Sequence, residues 1–170
     1  LPYLKEAAME VCIRRGTTME PIRLGDSLTP KESAILVGWY KAVFRSCTHN
    51  SERFAVMWMI LDLLNPADST SLSQWYSSET NVAKRKALLQ TIDLVITCKS
   101  TTTDDLEESR KWGYIDPKNV SKTGLVTLRK RENAVRAMLA VAQGDWDTTC
   151  QKMATESLMA LETRLKKGTP

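Results

Sequence analysis

Three consecutive cations, Arg129, Lys130 and Arg131, have the residue type and spacing that suit contacts with phosphate groups. They lie in the stretch from Gly124 to Gly144, whose apolar spacing predicts one amphipathic helix. Between positions 118 and 136 there are six cations and one acid, so the local excess of five exceeds the net charge of +4 for the whole chain. The sequence therefore predicts a positive surface for an anionic partner. Its members are Lys118, Lys122, Arg129, Lys130, Arg131 and Arg136.

A second basic cluster, Lys84, Arg85 and Lys86, lies on another predicted helix. If the two clusters are neighbours in the fold, they form a groove for a phosphate backbone, and RNA is the expected partner. Trp112 and Tyr114 precede the basic stretch and are of the type that stacks on bases, with core packing the alternative for Trp112. An acidic lipid surface or an acidic protein segment is an alternative partner. A solvated helix face with no partner would carry the same residues.

The residues that could support catalysis or bind a metal ion are poorly arranged for either. His49 is the only histidine, and it lies in a predicted loop with no cysteine motif beside it. The acids from Asp104 to Glu108 open a predicted helix, where they favour the positive end of the helix dipole. Nucleophile-elbow, zinc-protease and phosphate-loop motifs do not occur in the sequence. We therefore expect no enzymatic activity, no cofactor and no metal site.

The four cysteines, Cys12, Cys47, Cys98 and Cys150, are far apart and form no C-x-x-C pair. At least three fall on apolar helical positions, which predicts buried free thiols and a reducing compartment, cytoplasmic or nuclear. The longest apolar run, from Phe54 to Leu64, is too short for the roughly 20 residues that a membrane-spanning helix needs. We therefore expect no transmembrane segment.

Helices must position these residues, because capping signals and helical spacing dominate the sequence. A capping box, Thr29 to Glu32, opens a helix that runs to about Cys47. An apolar helix at about residues 52–64 is expected at the centre of the fold, with a predicted cap at Ser51. Asp145 is predicted to cap a last helix from Trp146 to about Lys167, whose terminal bases suit the helix dipole.

The pattern predicts an all-α fold, a compact bundle of about seven or eight helices around the central apolar helix. Short predicted helices near residues 72–76 and 104–112 and a longer one at about 79–98 complete the set. We expect a single helical domain over residues 1–170, with the polar stretch 99–103 as its one candidate subdomain boundary.

Aromatic residues offer an alternative function, a protein–protein interaction or adaptor module in which the basic residues are only solvated. Trp39 fits the apolar stripe of its helix, so Tyr40 is expected to be the more exposed of the two. Trp75 and Tyr76 lie in the polar stretch "SLSQWYSSET", which predicts an exposed patch. Because Trp and Tyr dominate interface hot spots, Tyr40, Trp75 and Tyr76 are the predicted protein-interaction residues.

No motif in the chain identifies a family. In its general character, helical and slightly basic, the chain resembles domains of viral nucleocapsid and matrix proteins. Those domains bind RNA or lipid and self-associate. The resemblance implies a structural, self-assembling component that binds RNA, and it favours that reading over an enzyme.

Overall fold

The computed structural model describes residues 28–97 and 125–167. Within these ranges the chain forms seven α-helices and no β-strand, which confirms the predicted all-α fold class. Backbone contacts divide the chain into two compact units, with residues 28–66 in the first and residues 67–97 and 125–167 in the second. The segment 99–103 lies outside the described residues, so the boundary there and the single-domain organisation stay predictions.

The first unit contains two helices that pack together, α1 (Pro30–Ser46) and α2 (Asn50–Leu63). The predicted capping box is confirmed at the start of α1. The Glu32 N–H donates to Thr29 Oγ1 at 3.2 Å, and the Thr29 N–H donates to Glu32 Oε2 at 3.1 Å. These bonds satisfy backbone donors for which the first helical turn has no acceptor.

The helix α2 is the apolar helix predicted at residues 52–64, and it is buried around most of its circumference. It begins at Asn50, so Ser51 lies in its first turn and not at the predicted cap position. Burial of one large aliphatic side chain stabilises a fold by about 1.5–3 kcal/mol relative to exposure. Four side chains on two successive turns of α2 have no exposed surface: Val56, Met57, Ile60 and Leu61.

The buried face of α1 includes Val43 and Phe44 of its apolar stripe but not Trp39. Ser33 and Phe44 are buried, and Ser33 Oγ donates to the Leu63 carbonyl of α2 at 2.6 Å, which fixes the rotation of α1. Trp39 is 55% exposed, whereas Tyr40 is half-buried. The expected order of exposure for this pair was therefore wrong, because a polar contact of Ser33 sets the inner face.

The second unit contains five helices. They are α3 (Ser71–Ser78), α4 (Val82–Thr97), α5 (residues 125–130), α6 (Glu132–Gln143) and α7 (Thr148–Lys167). α6 packs against both α3 and α7, and α7 also packs against α4. The side chains that fill this core are apolar and almost fully buried: Leu72, Leu88, Leu89, Ile92, Val135, Leu139, Cys150 and Leu161.

The helix predicted from Gly124 to Gly144 is interrupted at Arg131, which corrects that expectation. The backbone of Arg131 has φ −115° and ψ 14°, outside the helical region. Its N–H still donates to the carbonyls of Thr127 and Leu128, at 3.0 and 3.2 Å. The chain therefore kinks between α5 and α6 and keeps its hydrogen bonds.

The start of α7 also differs from the prediction. The helix begins at Thr148, and Asp147 caps it by accepting the Cys150 N–H at 3.0 Å. Asp145, the predicted cap, binds Arg85 instead. Trp146 therefore lies in the turn before the helix, where the residue is 77% exposed.

The cysteine prediction is confirmed for the two cysteines that the structure describes. Cys47 and Cys150 are both buried and carry free thiols. Cys12 and Cys98 lie outside the described residues. Among the helices that are described, none combines the length and the apolar character needed to cross a membrane.

Candidate anion-binding surface

One end of the second unit brings two basic segments together. Arg129, on α5, donates from Nη2 to the carbonyl oxygen of Leu165 in the last turn of α7, at 3.4 Å. A carbonyl in the last turn of a helix lacks an intrahelical donor and carries partial negative charge, so a guanidinium suits this position. The contact sets Arg129 and Lys130 beside the basic residues that flank Leu165.

We call this surface the basic end. It consists of Arg129, Lys130, Arg164, Lys166 and Lys167. Four of these side chains are exposed, and that of Arg164 is half-buried. The helix dipole at the end of α7 offsets only about half a unit of charge. The described side chains of the basic end are thus all cationic, and most of them reach solvent.

Two acids of the described chain, Glu132 and Glu162, are engaged with Arg136. Its Nε lies 2.8 Å from Glu132 Oε1, and its Nη1 lies 3.5 Å from Glu162 Oε1. The pair of Arg136 with Glu132, four residues apart, confirms the helix-stabilising pair that the spacing suggests. The hydrogen bond to Glu132 raises the pKa of Arg136 despite its partial desolvation. Arg136 is thus committed to two carboxylates and adds little to the positive surface.

Arg131, a predicted phosphate contact, points into the protein. It is only 3% exposed, and its Nη1 donates to the Lys130 carbonyl at 3.5 Å. Consecutive residues of a helix point in directions about 100° apart, so three cations in a row cannot all share one face. The expectation that Arg131 is a surface contact is therefore corrected, whereas Arg129 and Lys130 are exposed as expected.

The second predicted cluster lies at the opposite end of α7. Arg85 pairs with Asp145, just before α7, while Arg129 contacts Leu165 near its end. Asp147, which caps α7, and Leu165 are eighteen residues apart, which corresponds to about 27 Å at a rise of about 1.5 Å per residue. Arg129 and Lys130, the exposed described members of the first cluster, therefore do not share a groove with the second cluster, and the places of Lys118 and Lys122 lie outside the described residues. Of the cluster itself, Lys84 is exposed and Lys86 is half-buried.

Arg85 is the centre of a buried polar network. Its Nε lies 2.9 Å from Asp145 Oδ2, with the two side chains only 8% and 4% exposed. Its Nη1 also donates to the carbonyls of Glu79 and Thr80, at 3.1 and 3.2 Å. Arg85 therefore ties together the end of α3, the start of α4 and the turn before α7. A guanidinium held in this way is structural, which corrects its predicted role as a phosphate contact.

Asp145 accepts a further hydrogen bond from the Tyr76 hydroxyl at 2.5 Å. Burial alone raises the pKa of the Asp145 carboxyl. The bonds from Tyr76 and from the Asp147 N–H, together with the charge of Arg85, outweigh burial and hold the pKa below its usual range. Burial and the bond to Asp145 raise the pKa of Tyr76. Asp145 is therefore an anion and Tyr76 a neutral donor at neutral pH.

This network explains why the predicted aromatic patch is not at the surface. Trp75 is 4% exposed and Tyr76 is 2% exposed, so neither offers a ring to a protein partner. The polar residues around them in sequence were a misleading signal, because the hydroxyl of Tyr76 has its partner 69 residues away. Tyr40 is half-buried and has an interaction within the chain. The exposed large aromatics of the described chain are instead Trp39 and Trp146.

Other predicted site residues lie outside the described ranges. These are Lys118 and Lys122, together with Trp112 and Tyr114, the candidates for base stacking. The acids between positions 104 and 108, which were predicted to open a helix and not to form a site, also lie there. Their roles stay predictions. The sequence predicts Lys166 and Lys167 only as partners of a helix dipole, whereas the fold sets them beside Arg129. The bases in the last turn of α7 are visible in the sequence, but only the packing of α6 on α7 places them near Arg129.

No protein-family model, curated protein or solved structure matches the chain.

Proposed function

We propose that the protein is a non-enzymatic helical structural component that binds the phosphate backbone of RNA through the basic end. The observation that carries the proposal is the bond from Arg129 to Leu165, which supports one exposed basic patch built from two distant segments. Several cations at one surface are what a polyphosphate strand requires, since each contact releases a counterion. Self-assembly as a viral nucleocapsid- or matrix-like component is the finer proposal, and it rests on general character alone.

The chemistry of the basic end favours binding without sequence preference. Exposed lysine and arginine side chains at a helix end reach phosphate oxygens, which carry no sequence information. RNA is favoured over a lipid surface because the described residues at this end do not include a broad apolar helix face that would enter a bilayer interface.

Removing two cations of the basic end should weaken RNA binding strongly. We expect Arg129→Gln/Lys130→Gln to lower the affinity for a labelled 16-nucleotide oligo(U) about 25-fold at 0.1 M salt, measured by fluorescence anisotropy. Each single-strand phosphate contact contributes about 0.7 to the slope of log K against log salt. If the contribution of one contact vanishes at 1 M salt, the loss of that contact lowers the affinity roughly fivefold at 0.1 M salt.

The matched control removes two exposed cations from α1, with Lys31→Gln/Arg45→Gln. Its affinity should stay within about twofold of the wild-type value at the same salt. Equal losses in both variants would show that only total charge matters and would refute a localised surface. If wild-type protein ignores the oligonucleotide but sediments with phosphatidylserine vesicles, and Arg129→Gln/Lys130→Gln does not, then the partner is an anionic lipid and the RNA proposal is wrong.

A protein-interaction role is the second candidate function, and a different surface favours it. Ile35 is 46% exposed and Trp39 is 55% exposed, one turn apart on α1. Exposed tryptophan beside an aliphatic residue is typical of an interface anchor. The residues concerned are not those that the sequence suggested. Under this alternative, Trp39→Ala alters self-association in size-exclusion chromatography, and the charge variants of the basic end do not.

A further inference from the structure

Trp146 is the most exposed large apolar side chain in the part of the chain that the structure describes, at 77%. It lies in the short turn between α6 and α7, next to the cap residue Asp147. Core packing therefore does not explain a ring at this position. One charged side chain contacts the ring and gives its surroundings a specific chemical character.

The guanidinium of Arg85 lies over the ring of Trp146, with Cζ 5.5 Å from the ring centroid. This distance is within the range of a cation–π contact. Arg85 itself is held by Asp145 and by the carbonyls of Glu79 and Thr80. The cation beneath the ring is therefore anchored, and it restrains the ring in turn.

The face of Trp146 opposite Arg85 is the one open to a ligand. Arg85 occupies one face, so the other face and the ring edges must provide most of the 77% exposure. A restrained flat ring loses little conformational freedom on binding, so contact with another flat group is retained at little entropic cost. Nucleobases are flat groups that stack on such rings whatever their sequence.

The charges beside Trp146 suit a nucleotide more than an apolar protein segment. Lys84 is exposed and Lys86 is half-buried, on either side of Arg85 in the chain. Asp145 and Asp147 flank Trp146 in the chain, and the Cys150 N–H lowers the pKa of Asp147 by donating to its carboxylate. The two acids beside Trp146, Asp145 and Asp147, offset two of the three cations from Lys84 to Lys86 in formal charge, and Lys84 is the exposed cation left for a phosphate.

We propose that Trp146 is a stacking platform for one base of a single-stranded nucleic acid, with Lys84 contacting the adjacent phosphate. This inference deepens the proposed RNA binding and rests on it. Because little net charge remains here, stacking dominates, and its contribution depends weakly on salt. The basic end, about 27 Å away along α7, contributes the salt-dependent part.

The test uses Trp146→Ala and Trp146→Phe in the full chain, with the labelled 16-nucleotide oligo(U) at low and moderate salt. One lost stacked base should weaken binding about 5- to 150-fold, by an equal factor at both salt concentrations. Trp146→Phe retains a ring and should lose less than Trp146→Ala. The matched control is Trp39→Ala, which removes another exposed tryptophan in the first unit and should leave affinity unchanged. Circular dichroism checks that each variant is folded.

The outcomes separate this inference from the proposed function. If Arg129→Gln/Lys130→Gln weakens binding while Trp146→Ala matches Trp39→Ala, the platform is refuted and the basic end stands. If only Trp146→Ala weakens binding, the platform stands and the basic end is refuted. If wild-type protein binds no oligo(U), both are wrong. A loss of self-association in Trp146→Ala with unchanged RNA affinity would identify the ring as a protein contact and overturn the inference.

Discussion

Replacing Asp145 with asparagine is expected to lower the free energy of unfolding of the second unit by about 3–5 kcal/mol. The substitution removes the carboxylate that lies 2.9 Å from Arg85 Nε and leaves a guanidinium only 8% exposed without its counter-charge. An uncompensated buried charge costs far more than the loss of one contact in water. Urea unfolding followed by circular dichroism measures the change.

The control for this prediction is an ion pair at the surface. Lys152 Nζ lies 3.9 Å from Glu156 Oε1, and both side chains are mostly exposed. Solvent screens such pairs, so Lys152→Gln should change the free energy of unfolding by less than about 0.5 kcal/mol. If Asp145→Asn costs no more than Lys152→Gln, then the network around Arg85 does not hold the second unit together.

The same carboxylate should give the protein a specific sensitivity to acid. The pKa of Asp145 is lower in the folded state than in the unfolded chain, where it is about 3.9. Its contribution to stability is therefore complete above about pH 5 and is lost as the pH falls through the folded-state pKa. Asp147, whose pKa is also lowered, acts in the same direction. Asp145→Asn should therefore flatten the acid side of the stability profile without abolishing it.

Arg131→Ala is expected to reduce stability and leave RNA affinity nearly unchanged. Arg129→Ala should weaken RNA binding and change stability little. Arg131 is 3% exposed and has its hydrogen bonds inside the protein, so truncation should cost about 1.5–3 kcal/mol of unfolding free energy. Arg129 is exposed, and its contact with the Leu165 carbonyl should be worth less than about 1 kcal/mol. Its loss should weaken RNA binding roughly fivefold at 0.1 M salt.

Both single variants are measured by urea unfolding and by anisotropy under conditions in which each remains folded. The comparison is sharp because the two arginines are two positions apart and have the same chemistry. Equal losses of affinity in Arg129→Ala and Arg131→Ala would mean that the orientation of α5 and α6 is not as described. A joint substitution of residues 129–131 cannot test RNA binding, because it would also remove the buried Arg131.

Local signals in the sequence predict the helices well. The capping box at Thr29 requires only residues three positions apart, so it can be identified without any tertiary information. The apolar helix α2 is predicted by its composition, because a helix that is apolar on every side must be buried. The pair of Glu132 with Arg136, four residues apart, likewise follows from helical spacing alone.

The surface of the protein depends on contacts between distant residues, which no local pattern encodes. Tyr76 is buried because Asp145 accepts its hydroxyl, although its neighbours in sequence are polar. Arg85 is buried for the same reason, although it lies between two lysines. Arg129 joins the end of α7 only because α6 packs against that helix. Single residues were therefore assigned to the wrong side of helices whose existence was correctly predicted.

The salt dependence of RNA binding tests the central claim most directly. The slope of log K against log salt should be compared between wild type and Arg129→Gln/Lys130→Gln/Lys166→Gln/Lys167→Gln, with Lys31→Gln/Arg45→Gln as control. We predict that the four-residue variant loses up to about 2.8 from the magnitude of the slope, roughly 0.7 for each phosphate contact, while the control keeps the wild-type slope. An unchanged slope in the four-residue variant, or a wild-type slope near zero, would contradict the assignment of the basic end as a phosphate-binding surface.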